Sequence, residues 1–375
     1  MKKNYLSMLF FLTTVGFACA QDRTIGPEII TPENEDYTVE TIIDGMQIPW
    51  GMTFLPDGSL LVTEKEGEMI RFKDGEKTII EGLPEITVQG QGGFMDIILH
   101  PDYENNGWLY FTYASSEGEG EGANTAIARA KLTDNKLTDL QVLYKASPNS
   151  DRGQHFGSRM AFDDEGYLYF SIGDRGDNEN NPQDITRDGG KIYRINDDGS
   201  IPEDNPFVDE ANAKTAIYSY GHRNPQGMIK HPDTGAIWVN EHGPRGGDEI
   251  NVIKKGANYG WPVITYGINY DGIEITEERS KPGMEQPLYY WLPSIAPSGF
   301  AVVTGEVYPE WEDDLLIGSM KFSYLEKLTL ENNKVVKREK LMDGVGRVRN
   351  VKIGPDGHIY AGLDGKGIVK LVPKQ

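Results

Sequence analysis

Histidine, arginine, asparagine and glutamine concentrate in four glycine-rich segments of this 375-residue chain. They are Gly90-Gln91-Gly92-Gly93, Gly153-Gln154-His155-Phe156-Gly157-Ser158, Gly221-His222-Arg223-Asn224-Pro225-Gln226-Gly227, and the run from Glu241-His242-Gly243-Pro244 to Asp248-Glu249-Ile250-Asn251. Hairpin turns alone do not call for such residues. His155 is the candidate proton acceptor, because an imidazole changes charge near neutral pH. Asp174, in Gly173-Asp174-Arg175-Gly176, closes the hairpin that His155 enters. A carboxylate returned there would hold the imidazole tautomer and raise its basicity. His222 has no comparable partner in the sequence and reads as structural. Arg223, Lys321, Arg347 and Arg349 occupy matching places in the chain. Gathered at one mouth they would repel one another unless an anion sat among them, and a ligand with several carboxylates would resolve the conflict.

The elements that must carry these residues repeat. An apolar strand, a turn built on Asp-Gly or Pro-Asp, and a second strand alternating apolar and polar residues recur six times. The turns are Pro56-Asp57-Gly58, Pro101-Asp102, Asp164-Glu165-Gly166, Pro232-Asp233, a degraded Pro309-Glu310 and Pro355-Asp356-Gly357. Their spacing of roughly 45 to 80 residues suits a four-stranded sheet with loops. The sequence therefore predicts an all-β, six-bladed β-propeller of four-stranded antiparallel blades, with a pair of β-sandwiches as the competing arrangement. The first three glycine-rich segments each precede the first strand of a repeat, so a ring places them on one face near its axis.

Composition narrows the function. With 58 Asp+Glu against 37 Lys+Arg, the net charge of −21 opposes nucleic-acid binding, which needs a basic face. Residues 6–20 form a short apolar run after Lys2 and Lys3, ending Ala18-Cys19-Ala20. This reads as a secretory signal cleaved after Ala20, too short for the roughly 20 residues of a spanning helix, so no stable membrane insertion is expected. Cleavage would remove Cys19, the one cysteine, and with it thiol chemistry; a lipidated Cys19 is the rival reading. A polar leader follows over 21–36, then one uninterrupted domain over 37–375. The acidic run 117–121, Asn196-Asp197-Asp198-Gly199 and Asp356-Gly357 read as solvated loop and turns.

Residues 90–101, 155–176, 220–227 and 243–251, followed by Asn258-Tyr259-Gly260-Trp261-Pro262, resemble in this order the soluble quinoprotein aldose sugar dehydrogenases. These are six-bladed propellers that use pyrroloquinoline quinone (PQQ), within a wider family that includes soluble glucose dehydrogenase. The resemblance implies oxidation of an aldose at C1 to the lactone by hydride transfer to the quinone. It implies His155 as general base, Asp174 as its orienting carboxylate, and Arg223 beside the developing charge. It places Gln91, Arg223, Asn224, Lys321, Arg347 and Arg349 against PQQ. The carbonyls of Gly243 and Pro244 match ligands of a Ca2+ ion beneath the quinone, and Glu249 with the Tyr259 carbonyl matches part of a second calcium site. An external electron acceptor, a cytochrome or a quinone, is a further implication, while the cleaved signal predicts a periplasmic or secreted location. Two departures, Gln154 in place of an aspartate before His155 and the missing insertions around 270–286, favour the smaller aldose dehydrogenases over a strict glucose enzyme. A calcium-dependent sugar lactonase and a non-catalytic extracellular binding module are the alternatives. The basic cluster opposes the first, since cations repel a metal held by side-chain carboxylates; the intact His155, Arg223, Lys321 and Arg347 set opposes the second.

Overall fold

The computed structural model describes residues 26–33 and 35–374. The expected export signal over 1–20 lies outside them. The described chain is nearly all strand, with one four-residue helix at Tyr103–Asn106. Six sheets follow one another as the blades of a propeller. Their first strands are Pro49–Phe54, Phe94–Leu99, Met160–Phe162, Pro225–Lys230, Pro297–Val302 and Val348–Ile353, numbered here as blades 1 to 6. These strands face the axis, and the others in each blade follow outward in antiparallel order.

The repeated turns form because their residues suit them locally. Gly58 adopts φ 81°, which a tight Asp-Gly hairpin requires and a side chain would resist. The Asp57 carboxylate then takes both the backbone N–H and the hydroxyl of Ser59, closing the turn. At the degraded fifth turn a 3₁₀ segment, Pro309–Trp311, takes the place of the tight turn, and the strands on either side still pair antiparallel.

Two pairings were not legible as repeats. The outermost strand of blade 6 is Tyr37–Asp44, which pairs antiparallel with Gly367–Pro373 and ties the start of the domain to its end. Within the segment read as a polar leader, Ile29–Ile30 lies parallel to Arg338 and Glu339 on the outside of blade 5.

The core is not one mass but a series of seams. Leu61, Met69, Phe94 and Phe111 fill the gap between blades 1 and 2; Tyr110, Met160 and Phe170 that between 2 and 3; Tyr169, Ile192 and Val239 that between 3 and 4. Trp238, Phe300 and Ile317 join blades 4 and 5; Leu316, Val351 and Ile359 join 5 and 6; Ile43, Met52 and Tyr360 close 6 on 1. Each fully buried side chain of this kind contributes about 1.5–3 kcal/mol, so every seam resists opening of the ring.

Arg159 crosses the axis. From blade 3 its guanidinium donates to the carbonyls of Gln226 (2.7 Å), Trp50 (3.3 Å) and Arg349 (2.8 Å) and to the Asp96 carboxylate (3.1 Å). Five blades thus meet on one buried side chain. It separates two axial cavities: one of about 520 Å³ at the far ends of the inner strands, lined by Lys230 and Lys352 among apolar side chains, and one of about 270 Å³ at their starts. The glycine-rich segments surround the second.

Candidate active site

The smaller cavity is lined by Gln91, Phe156, Asn224, Gln226, His242, Arg347 and Arg349, together with Lys65. The loops entering blades 2, 3 and 4 interlock around it. Gln91 Oε1 accepts the backbone N–H of His155 at 2.9 Å, and Asn224 Oδ1 accepts that of Gly157 at 3.1 Å. The shared phase of the repeats therefore does bring these loops together.

His155 is 9% exposed and sits at φ 57°, a left-handed conformation uncommon for a residue with a Cβ. Its Nδ1 lies 2.6 Å from Asp174 Oδ1. Close approach of the two loops depends on Gly173, where a Cβ would fall 2.4 Å from the His155 carbonyl oxygen. Asp174 also accepts the Gly176 N–H at 2.7 Å and the Trp261 indole N–H at 2.9 Å. Burial works against its ionisation, but the His155 bond and the charge of Arg223 outweigh it and hold the carboxyl below its usual range. Burial likewise pushes the His155 imidazole below its ordinary value; the Asp174 bond opposes this only in part, and Arg223 adds to it. The result is a neutral imidazole whose Nδ1 is engaged by a carboxylate and whose Nε2 has no protein partner among the described residues. Such a group can accept a proton.

Arg223 is 8% exposed. Its backbone N–H donates to Glu241 at 2.8 Å, and its Nη1 to the carbonyl of Gly243 at 2.7 Å. Its Nε is buried without an acceptor among the described residues, and its guanidinium carbon lies 5.3 Å from the centre of the Trp261 ring. A ligand oxygen would satisfy that orphaned donor.

The basic residues do not all converge. Arg349 is largely buried and Arg347 half exposed, and both pair with Asp364, so part of the repulsion expected from the sequence is relieved by the protein itself. Lys321 is exposed at the rim, its ammonium 4.9 Å from the centre of the Phe322 ring, while its neighbour Met320 lines the cavity. Lys65, not singled out from the sequence, is mostly buried and paired only with the solvated Glu66 at 3.3 Å. A signal for it existed: Lys65 follows the second strand of blade 1 much as Lys321 follows that of blade 5.

The segment from Glu241 to Asn251 wraps a second, much smaller space of about 20 Å³, whose lining includes Glu241, Gly243, Glu249 and Tyr259 together with Arg223 and Trp261. Asp248 anchors the loop by accepting the N–H groups of Gly243, Ile295 and Ala296 and the Ser294 hydroxyl. The Pro244 carbonyl accepts the same hydroxyl at 3.3 Å. Glu241 and Glu249 are cross-strand partners, and the Asn251 amide donates to both carboxylates, at 3.0 and 3.1 Å. Burial and the neighbouring Glu241 raise Glu249 above the usual carboxyl range. Two crowded carboxylates beside a void the size of a single ion suit a cation. No cluster of three or more His, Cys, Asp or Glu is present among the described residues, so backbone carbonyls would have to complete the coordination. His222, read as structural without a partner, in fact has one: its Nδ1 lies 2.8 Å from Glu241 and its Nε2 2.9 Å from Ser219. With both nitrogens engaged and its ring stacked on Tyr259 at 4.5 Å, it belongs to the support of this loop.

Fold and site together define a six-bladed propeller with a cationic small-molecule site at one end of its axis. The chain belongs to the glucose/sorbosone dehydrogenase family, whose sequence model matches residues 46–370, and is thus a sugar oxidoreductase. It is 38% identical to aldose sugar dehydrogenase YliI of Escherichia coli, over 90% of this chain and 93% of that one. The crystal structure of the soluble aldose sugar dehydrogenase from Escherichia coli in its apo form superimposes with a TM-score of 0.87 at 38% identity, covering 90% of this chain and all of the other. The PQQ-bound aldose sugar dehydrogenase from Streptomyces coelicolor gives a TM-score of 0.74 at 26% identity, with 92% and 99% covered. No helix among the described residues is long and apolar enough to cross a membrane.

Proposed function

We propose that the protein is a PQQ-dependent aldose dehydrogenase that oxidises the sugar at C1 to the lactone, with His155 as general base. The observation that carries this reading is the 2.6 Å contact between His155 Nδ1 and Asp174, which leaves the other imidazole nitrogen without a protein partner among the described residues, next in sequence to Phe156 in the wall of the cationic cavity. The cofactor, when bound, supplies the two-electron acceptor for the hydride leaving C1. The cavity suits such a group: about 270 Å³, with Arg349, Arg347 and Lys65 for carboxylates and Asn224 and Gln226 for polar edges; Arg223 lines the 20 Å³ space on the other side of His242, where its unpartnered Nε offers a donor for a carbonyl oxygen.

His155 Nε2 takes the proton from the sugar O1 hydroxyl as the C1–H bond breaks, a role worth roughly 10²–10⁴ in rate. Asp174 stabilises the imidazolium that forms. Arg223 places positive charge where negative charge develops, and being held by Gly243 and Glu241 it needs no reorganisation during the reaction. The Gly243 carbonyl has one lone pair engaged by Arg223, and its second, with the Pro244 carbonyl, would face a calcium ion. Glu249, Glu241 and the Tyr259 carbonyl would hold another. An external acceptor, a cytochrome or a quinone, would reoxidise the cofactor, and the export signal would place the protein in the periplasm or outside the cell.

The experiment is reconstitution of the purified mature protein with calcium, with and without PQQ, against a panel of aldoses and a dye acceptor. Dye reduction requiring both additions supports the reading. Absence of any PQQ-induced change in the protein spectrum removes it.

A further inference from the structure

Trp261 touches both halves of the site without lining the 270 Å³ cavity. It is 7% exposed. Its indole N–H donates to Asp174 Oδ2 at 2.9 Å, whereas His155 and the Gly176 N–H both use Oδ1. Trp261 is therefore the sole donor to the second carboxylate oxygen among the described residues. On its other side the ring lies 5.3 Å from the Arg223 guanidinium carbon. The indole is itself fixed: the Trp261 backbone N–H donates to the Gly221 carbonyl at 2.8 Å, and its carbonyl accepts the Gln183 amide at 2.7 Å. Gly221 stands two residues before Arg223, and the Asp174 N–H donates to the Arg223 carbonyl at 2.8 Å. Loop, carboxylate and guanidinium thus share one aromatic wedge.

We propose that Trp261 is a positioning residue for the proton acceptor, its indole N–H sharing the charge of the Asp174 carboxylate that engages His155 while its ring face seats Arg223. This rests on the reading of His155 as general base. Without the indole, Oδ2 of Asp174 has no donor among the described residues, while Oδ1 keeps the Gly176 N–H and stays against His155 Nδ1. The carboxylate charge, no longer shared with the indole, would concentrate on the oxygen facing His155. The other groups facing His155 are Arg223, Arg175 and His242, and Trp261 touches only the first of them directly. Loss of the indole donor therefore acts on His155 through Asp174 and raises the affinity of the imidazole for its proton.

Trp261→Phe keeps a ring for Arg223 and deletes the N–H. In the cofactor-free protein, the His155 titration followed by ¹H–¹⁵N NMR shifts upward, by about one pH unit. In the reconstituted enzyme kcat falls about tenfold, with KM and PQQ affinity unchanged and the acidic limb of the pH profile displaced by the same amount as the NMR titration. An unmoved His155 titration in Trp261→Phe overturns the proposal even if turnover falls. Because that variant could fail to fold, the unaltered protein provides a second reading: one of its six indole N–H resonances must move with the His155 titration, and constancy of all six also overturns it. Failure of the functional reading is seen separately, as full turnover in His155→Ala whatever Trp261 does.

Discussion

Asp364 takes the Nε and Nη2 of Arg349 in a fork, at 3.2 and 2.9 Å, and so holds the guanidinium at the edge of the axial cavity before any ligand arrives. Its Nη1 has no partner among the described residues. Charge-assisted hydrogen bonds from a pre-oriented guanidinium are the strong ones. Lys321, by contrast, lies exposed against Phe322.

Arg349→Met and Lys65→Met should each weaken PQQ binding by about tenfold or more, since a hydrogen bond to a charged group is worth roughly 1.5–3 kcal/mol. Lys321→Met should cost less than about threefold, as exposed ion pairs contribute at most about 1 kcal/mol. Absorbance titration of the apo-protein with PQQ measures all three. Equal losses for Lys321 and Arg349 would return Lys321 to the cavity.

Turnover should fall on the acid side with a midpoint below 6.5. With His155 as the proposed proton acceptor, the working form would be the neutral imidazole; burial shifts its proton affinity downward, and protonation as pH falls would remove the acceptor. His155→Ala should retain PQQ and lose roughly 10²–10⁴ in kcat. A pH–rate profile of kcat/KM, with the variant beside the parent protein, checks both; a limb above 6.5 contradicts the burial argument.

Calcium should raise the melting temperature of the parent protein, because an ion bound only by the folded state adds about 2.7 kcal/mol at a hundredfold excess over its dissociation constant. Glu249→Gln should lose much of that increment, having one fewer carboxylate to share with Glu241. Differential scanning calorimetry with calcium and with chelator decides. An identical calcium increment in Glu249→Gln would place the ion elsewhere.

Arg159→Met should be among the most damaging single changes outside the reaction chemistry. It strands Asp96, which is 6% exposed, without its counter-ion and removes donors from three carbonyls around the axis. Breaking a buried pair in this way costs about 3–5 kcal/mol. Lys230→Met, at the half-exposed pair with Asp164, should stay within about 0.5 kcal/mol. Urea denaturation midpoints compare them.

The propeller and its number of blades were legible in the chain because they rest on local chemistry. Asp-Gly turns such as Asp57-Gly58 impose their backbone angles wherever they occur, and an alternating strand pairs with its neighbour across the turn. The phase of the loops was legible for the same reason, so Gln91, His155 and Asn224 could be assigned to one face before any coordinates. Asp174 could be placed opposite His155 because a single hairpin joins them.

What the chain could not disclose depends on partners far apart in sequence. Tyr37–Asp44 completes blade 6 only because ring closure brings it beside Gly367–Pro373. Asp364 looks like an ordinary turn residue beside Gly365, and Glu241 like the end of a strand, until the tertiary fold sets the first against Arg349 and the second against Glu249 and His222. Arg159 is one arginine among many until five blades converge on it. Local turn and strand preferences determined the repeat; the balance of buried charge, which decides where cations stay free to bind and where they are neutralised, was set only when the ring closed.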